Sequence, residues 1–214
     1  MNKSQLTSEQ QNKTLPKNVW VLGFVSLLTD ISSKIIDSLL PLFLVSSLGA
    51  NLLTVGWIEG IAKSTASVLK LFSGALSDYL GKRKGLAIAG YGLSTLVKPL
   101  FALATSPAWI LMARFGDRVG KGIRVAPRDA LVADVTDEAN LGAAYGLRQS
   151  LDTIGAFMGP IVAFFLMSLW EQNFRLVFWS ALIPAILAVV LLATGQSTGQ
   201  CIYTIPDCTR HNPA

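Results

Sequence analysis

The amino-acid sequence predicts an all-α membrane protein, a bundle of six transmembrane helices. The chain of 214 residues is 51% hydrophobic and only 14% charged, whereas soluble domains carry about 25% charged residues. Six apolar runs follow one another, each of about the 20 residues that a helix needs to cross a bilayer. The basic residues lie in short clusters between these runs, which is typical of cytosolic loops.

The six predicted spans differ in how many charged residues interrupt them. The third and the sixth are the most uniformly apolar. The predicted bounds are 19–44, 54–76, 85–104, 107–124, 143–169 and 174–193. We therefore predict a polar N-terminus over residues 1–17 and a six-helix transmembrane domain over residues 18–194. A polar, disordered tail is predicted over residues 195–214, because it has no apolar period.

The connections between the spans alternate in charge, and this alternation predicts the orientation. The first, third and fifth connections contain no Lys or Arg, while the second, the fourth and the N-terminus are basic. Basic segments stay in the cytosol, so both termini are predicted to be cytosolic. The basic residues concerned are Lys3, Lys13, Lys17, Lys82, Arg83, Lys84, Lys121, Arg124 and Arg128.

Other classes of function have little support in the sequence. Cys201, Cys208 and the only histidine, His211, lie in the tail without the spacing of metal ligands. The sequence contains no HExxH, no Ser/His/Asp set and no phosphate-binding loop, so an enzyme is not predicted. No metal or other cofactor is expected. Nucleic acid is not an expected partner either, because no basic face is interleaved with aromatic residues.

Ionisable residues inside the spans predict a polar interior. Such a side chain costs several kcal/mol unless it faces protein or water. Many recur four or seven residues apart, which places them on one face of a helix. Spans one, two, four and five are therefore predicted to surround a polar cavity, with three and six outside. The charges are Asp30, Lys34, Asp37, Glu59, Lys63, Lys70, Lys98, Arg114, Asp117, Arg118, Arg148 and Asp152.

The position of each charged residue along its span limits which other charged residues it can contact. At about 1.5 Å per residue, Arg114 and Asp37 lie at a similar depth, about 10 Å from the outer face, and Arg118 lies level with Asp30. We therefore predict Asp37–Arg114 and Asp30–Arg118 contacts between the first and fourth spans. Lys98, near the end of its span, is instead predicted to extend to the membrane interface. The same is predicted of Arg175.

Residues 74–83, GALSDYLGKR, resemble the loop signature of the major facilitator superfamily, G-x-L-x-D-[RK]-x-G-[RK]-[RK]. The segment lies where that family has it, between the second and third spans. Tyr79 replaces the usual base. The resemblance implies a gating element formed by Gly74, Asp78, Gly81, Lys82 and Arg83.

The fourth span is similar to a second motif of the same superfamily. Arg114, Gly120 and Gly122 resemble a motif whose buried arginine is linked to proton coupling, although Arg118 stands where glycine is usual. Residues 117–131 also resemble a subgroup of poorly characterised bacterial permeases.

The fifth span resembles the antiporter motif of drug/proton exporters. The matching residues are Gly146, Gly155, Gly159 and Pro160, while Ala163 and Phe164 replace the final Gly-Gly. Small residues at this spacing allow a neighbouring helix to approach closely. The motif therefore implies close helix packing around this span.

The resemblance covers residues 18–194 and implies the N-terminal half of a transporter with twelve spans in two six-helix halves. It implies transport of a small molecule, coupled to protons, across a bacterial cytoplasmic membrane. The candidates for substrate and proton binding are Asp30, Asp37, Arg114, Arg118 and Asp152.

A chain with half of the implied spans leaves alternatives open. It could be a truncated product that transports nothing, or it could work with a second copy or a separately encoded partner half. The substrate is open as well. Seven bases against five acids inside the spans favour an anionic or zwitterionic substrate, whereas the fifth-span motif favours drug export.

Overall fold

Helices make up nearly all of the computed structural model, which describes residues 16–80 and 83–195, with only the backbone of residues 74–80 and 83. The helices are α1 (Lys17–Ser46), α2 (Leu52–Leu80), α3 (Arg83–Leu103), α4 (Pro107–Asp134), α5 (Leu141–Leu169), α6 (Phe174–Ser180) and α7 (Leu182–Gly195). A short 3-10 turn, Glu138–Asn140, precedes α5. The described part of the chain contains no strand, and the predicted all-α fold is confirmed.

The sixth helical pass is broken at Ala181, which separates α6 from α7. Pro184 has no N–H to offer the carbonyl of Ser180, and its ring crowds that carbonyl, so a regular helix cannot continue through this point. The carbonyl of Ala181, at the break, accepts a hydrogen bond from the hydroxyl of Ser32 in α1. The break therefore supplies a backbone acceptor to a neighbouring helix.

Within the described residues, four helical stretches are long and apolar enough to cross a membrane. They are Lys17–Ser46, Lys84–Leu103, Glu138–Leu169 and Phe174–Gly195. The other two, α2 and α4, have 29 and 28 residues, so they have sufficient length, but neither contains a stretch that is apolar enough.

The fourth helix is longer than predicted. It continues to Asp134 instead of ending near residue 124, and Arg124, Pro127, Arg128 and Val132 in this extension are buried. These positions recur three to four residues apart, which is the period of one helix face. Arg124 and Arg128, predicted in a basic loop, therefore lie inside the helical bundle.

The helices form two packing groups. In the first, α1 packs along α5 and α7, and in the second, α4 packs along α2 and α3. The two groups meet where α3 packs on α6 and α7 and where α1 passes α4. Part of this meeting is apolar: the core cluster that contains Phe101 of α3 also contains Phe43 of α1 and Phe178 of α6.

Glycines allow the closest approaches within each group. A Cβ built on Gly155 of α5 would lie 2.8 Å from the carbonyl oxygen of Leu27 in α1, and Gly90 of α3 and Gly120 of α4 are similarly close. Gly159, one turn beyond Gly155, also lies against α1. Gly146 differs from what the fifth-span motif implied, because a Cβ there would meet nothing within 4 Å.

Replacing Gly155 with alanine is expected to destabilise the bundle. The added methyl would lie 2.8 Å from the Leu27 carbonyl oxygen, so α1 and α5 must separate, and such overpacking costs about 1–3 kcal/mol. We expect Gly155→Ala to lower the melting temperature in detergent, measured by circular dichroism. Gly146→Ala is the matched control and should keep or raise it, because alanine favours helix over glycine. Equal melting temperatures for the two variants would contradict the close packing.

Candidate functional site

The centre of the bundle holds one guanidinium that is bonded to two carboxylates. Arg114 of α4 is 2% exposed, and its two terminal nitrogens donate separately to Asp37 of α1 and Glu59 of α2. Arg118, one turn further along α4, donates to the same Asp37 at 3.3 Å. A planar guanidinium can hold two acceptors at once because it presents several N–H groups in a fixed fork. Arg114 thereby joins three helices.

The two carboxylates of this site remain within reach of an open side of the bundle. The side chain of Asp37 is 19% exposed and that of Glu59 is 22% exposed, while Arg114 between them is sealed. A carboxylate at such a boundary can take up a proton or meet a polar ligand without first unfolding its surroundings. The geometry therefore combines a fixed cation with two carboxylates that can change partners.

One of the two predicted ion pairs is present and the other is wrong. Asp37 and Arg114 are in contact, but Arg118 pairs with Asp37, and within the described residues no ion pair of Asp30 is found. The physical reason is the direction of the side chains, which lean toward the N-terminus of their own helix. Because α1 and α4 run in opposite directions, Arg118 leans toward Asp37 while Asp30 leans away from both.

Glu59 is a site residue that the sequence did not single out. Its spacing from Lys63 suggested a pair within α2, and the two are indeed 3.9 Å apart. Lys63 is 72% exposed, however, and the bond from Glu59 to the buried Arg114 is the stronger one. Nothing in the sequence alone fixes which neighbouring helix Glu59 meets.

A third carboxylate is held between α3 and α4. Asp117 is 4% exposed. It accepts a hydrogen bond from the hydroxyl of Ser94 at 2.5 Å and pairs with Lys121 at 3.0 Å. The close contact of Gly90 with Gly120 brings the two helices near enough for this bond. Asp117 is thus satisfied on both sides.

Lys98 overturns the prediction that its side chain extends to the membrane interface. It is 1% exposed, and its ammonium donates to the hydroxyl of Ser32 at 2.5 Å. The prediction failed because position near the end of a span does not fix the face on which a side chain lies. α3 therefore contributes to the polar interior, although it was predicted to lie outside. Arg175, given the same interpretation, is exposed.

A second cluster of ion pairs joins α4 to α1 and α5 at the other end of the bundle. Arg128 donates to the hydroxyl of Ser26 at 2.9 Å and lies 3.7 Å from Asp152. Arg148 of α5 lies 2.8 Å from Asp129 and 3.3 Å from Asp152. The sequence interpretation missed Arg128 and Asp129 as site residues. The continued helical period past residue 124 was the signal that could have identified them.

Arg124, in the same extension of α4, makes a different contact. Its guanidinium carbon lies 4.4 Å from the centroid of the Tyr91 ring in α3. A guanidinium over an aromatic face is stabilised by the ring quadrupole, and the ring shields the guanidinium plane from solvent. This contact therefore ties α4 to α3 and completes the inner end of their packing group.

The predicted gating element lies largely outside the described residues. Gly74 and Asp78 are in α2 and Arg83 begins α3, but their side-chain surroundings are not described, and Gly81 and Lys82 fall wholly outside. The gating role stays a prediction. In the described ranges, 16–80 and 83–195, no group of three His, Cys, Asp or Glu residues could hold a metal ion.

Comparison with known proteins agrees with the family resemblance found in the sequence. A family model of the Major Facilitator Superfamily matches residues 22–198. The chain is 32% identical over 187 residues to an uncharacterized MFS-type transporter of Methanocaldococcus jannaschii, with 86% of this chain and 46% of the relative covered. It is 29% identical to the multidrug resistance protein MdtH of Photorhabdus laumondii, with 80% and 42% covered.

A further relative is a probable 4-methylmuconolactone transporter of Cupriavidus pinatubonensis, which is 30% identical, with 86% of this chain and 42% of the relative covered. The chain thus spans less than half the length of the curated relatives it matches, over their N-terminal portion.

Solved structures share the fold. One from a study of proton-dependent oligopeptide transporters superposes with a TM-score of 0.75 at 15% identity, over 85% of this chain and 42% of that one. A POT family transporter in complex with 5-aminolevulinic acid gives 0.71 at 17% identity, over 83% and 38%. At these identities the likeness concerns the fold alone.

Replacing Arg114 with methionine is expected to destabilise the protein strongly. Asp37 and Glu59 would lose their shared partner, and breaking a buried ion pair by removing one member costs about 3–5 kcal/mol. We expect a large drop in melting temperature in detergent, and a partial recovery when Asp37→Asn and Glu59→Gln are added. Lys63→Met is the control and should change little, because exposed pairs contribute about 0–1 kcal/mol. A stable Arg114→Met variant would show that the fork does not hold the three helices.

Proposed function

The chain belongs to the Major Facilitator Superfamily, and we propose that it forms one half of a secondary transporter that moves a small molecule together with, or in exchange for, protons. It is an integral membrane protein. We propose further that it lies in a bacterial cytoplasmic membrane with both termini in the cytosol, as the basic connections favour.

The contact that carries this proposal is the fork of Arg114 on Asp37 and Glu59. A bundle that served only as structure could fill this position with apolar side chains, because buried ion pairs add little stability over them. Intramembrane charges are retained where they bind substrates, ions or protons. The partly open carboxylates on either side of a sealed cation have the properties that such a site requires.

A mechanism follows from the sharing of Asp37 between two guanidiniums. Protonation of Asp37 would remove its attraction for both Arg114 and Arg118, leaving Arg114 bonded to Glu59 alone. α4 would then remain tied to α2 in its own packing group but lose both of these ion pairs to α1. Transporters of this kind alternate access by rocking of rigid parts around a central site. A proton on Asp37 is well placed to permit such a movement.

The other half of the transporter has to come from further helices. The faces of α2 and α5 carry large exposed apolar side chains, among them Trp57, Phe157 and Phe164, and a groove of about 710 Å³ runs between α2 and α4. We propose that a second copy or a partner half covers part of these faces. A chain that transports nothing is the competing interpretation.

Transport is tested in liposomes that contain the purified chain and a pH-sensitive dye. We expect proton movement on addition of one of two probes. The first is 4-methylmuconolactone, for which one relative is named; the second is a lipophilic cationic drug, our choice of test compound because another relative is named for multidrug resistance. Asp37→Asn should lower the rate at least tenfold, because an amide cannot take up the proton. Glu138→Gln, on an exposed acid at the edge of the bundle, should keep the rate. No proton movement with either probe, in liposomes that hold folded protein, would favour the competing interpretation.

The orientation is tested with single cysteines in a background where Cys201 and Cys208 are serine. Ser47 and Gln172 lie in connections without basic residues, while Lys84 lies in a basic one. Cysteines at Ser47 and Gln172 should react with an impermeant thiol reagent added outside intact cells, and a cysteine at Lys84 should react only after lysis. The reverse pattern of labelling would overturn the orientation.

A further inference from the structure

We propose that Lys98 is a second proton-carrying group of this transporter, beside Asp37; this inference rests on the proton coupling proposed above. Lys98 was not among the candidate site residues, yet its side chain lines one narrow pocket together with Ser33, Asp37, Arg114 and Asp117. The pocket lies between α1, α3 and α4 and is too tight to hold a water molecule. Lys98 is therefore part of the central site and is sealed from water in this conformation.

Lys98 is the surplus positive charge of the central site. The three carboxylates Asp37, Glu59 and Asp117 each have a cation within ion-pairing distance, and the cations are Arg114, Arg118, Lys121 and the exposed Lys63. The bond that Lys98 makes is to a hydroxyl, that of Ser32. Among the described residues no carboxylate lies within ion-pairing distance of its nitrogen. The site is thus balanced without the charge of Lys98.

A buried ammonium without a carboxylate partner costs several kcal/mol, and loss of the proton removes that cost. Arginine cannot lose its proton in a protein, so Arg114 and Arg118 are fixed charges. Lys121 is held at 3.0 Å by Asp117. A counter-anion beside Lys98 is excluded in this conformation because the pocket has no room for one. Release of a proton from Lys98 is the remaining way to remove this excess positive charge from the site.

The charged and titratable groups that face Lys98 come from two of the helices packed against α3. α1 contributes Asp37, and α4 contributes Arg114, Asp117, Lys121 and Arg124. The sixth pass packs on α3 as well, but its one charged residue, Arg175, is exposed at the start of α6. If Asp37 of α1 or Asp117 of α4 separated from its own cation, its negative charge would favour the protonated form of Lys98.

The chemical step is a proton transfer alone. One N–H bond of the Lys98 ammonium breaks, the electron pair stays on nitrogen as a neutral amine, and the proton passes to water once the pocket opens. The bond from Lys98 to Ser32 loses its charge assistance in this step, and Ser32 is the residue that holds the carbonyl of Ala181 at the break in the sixth pass. Deprotonation therefore loosens the tie between α1 and that break.

The test is the protonation of Lys98, read by NMR from side-chain nitrogen and Cε signals of isotope-labelled lysine in the full chain in lipid nanodiscs. Ordinary lysines stay charged up to about pH 10. Of the ten lysines, we expect one signal to move from the ammonium to the amine position at a pH at which the other nine remain charged. That signal should be missing from Lys98→Met and present in Lys63→Met, the control on an exposed lysine.

The titration of the unaltered chain is informative even if Lys98→Met fails to fold, because a single early-titrating lysine is the expected result. Ten lysines that all lose their protons over the same pH range would overturn the proposal, as would an early-titrating signal that survives in folded Lys98→Met. The measurement uses neither substrate nor gradient. Its failure therefore rejects Lys98 as a proton-carrying group, while failure of the liposome assay counts against the proposed transport function and leaves the titration of Lys98 untouched.

Discussion

The structure depends on the buried positive charge of Arg114, which requires carboxylate partners. Arg114 is almost completely buried, and a buried guanidinium is tolerable only if its N–H groups are met by carboxylates. Asp37 and Glu59 meet them from two different helices. The position of α1 relative to α2 and α4 consequently depends in part on this one side chain, and the partly open edge of the site follows from which carboxylate oxygens it leaves free.

Close backbone contacts at glycines lie within the two packing groups, whereas many ion pairs and hydrogen bonds between side chains lie at the boundary that separates the groups. Within each group, glycines bring helix backbones together, as Gly155 does for α5 on α1 and Gly120 does for α4 on α3. Across the boundary, many contacts are polar: Arg114 to Asp37, Lys98 to Ser32, and Arg148 to Asp129. Apolar packing of this closeness holds one arrangement, whereas ion pairs can exchange partners. The boundary is thus the part of the fold best suited to movement.

Much of this organisation could be predicted from the sequence, and the features that the sequence did not predict were missed for physical reasons. Helices and their approximate ends follow from the length of apolar runs, and the pairing of Asp37 with Arg114 follows from depth. The end of α4 was missed because charged residues were taken for a loop, although Arg124 and Arg128 continue the helical period. Lys98 and Arg118 were misplaced because depth does not fix the direction in which a long side chain lies. That direction is decided by packing between helices far apart in the chain.

The separation of the paired charges along the chain has a consequence for how the protein is made. Asp37 precedes Arg114 by 77 residues, and translation adds about 5–20 residues per second. The first helix therefore emerges from the ribosome about 4 to 15 s before its cation exists. During that interval a carboxylate destined for the middle of the membrane lacks the cation that it pairs with in the folded bundle. Holding α1 and α2 beside the insertion machinery until α4 arrives would keep this carboxylate away from lipid, so delayed assembly suits this protein better than release of one helix at a time.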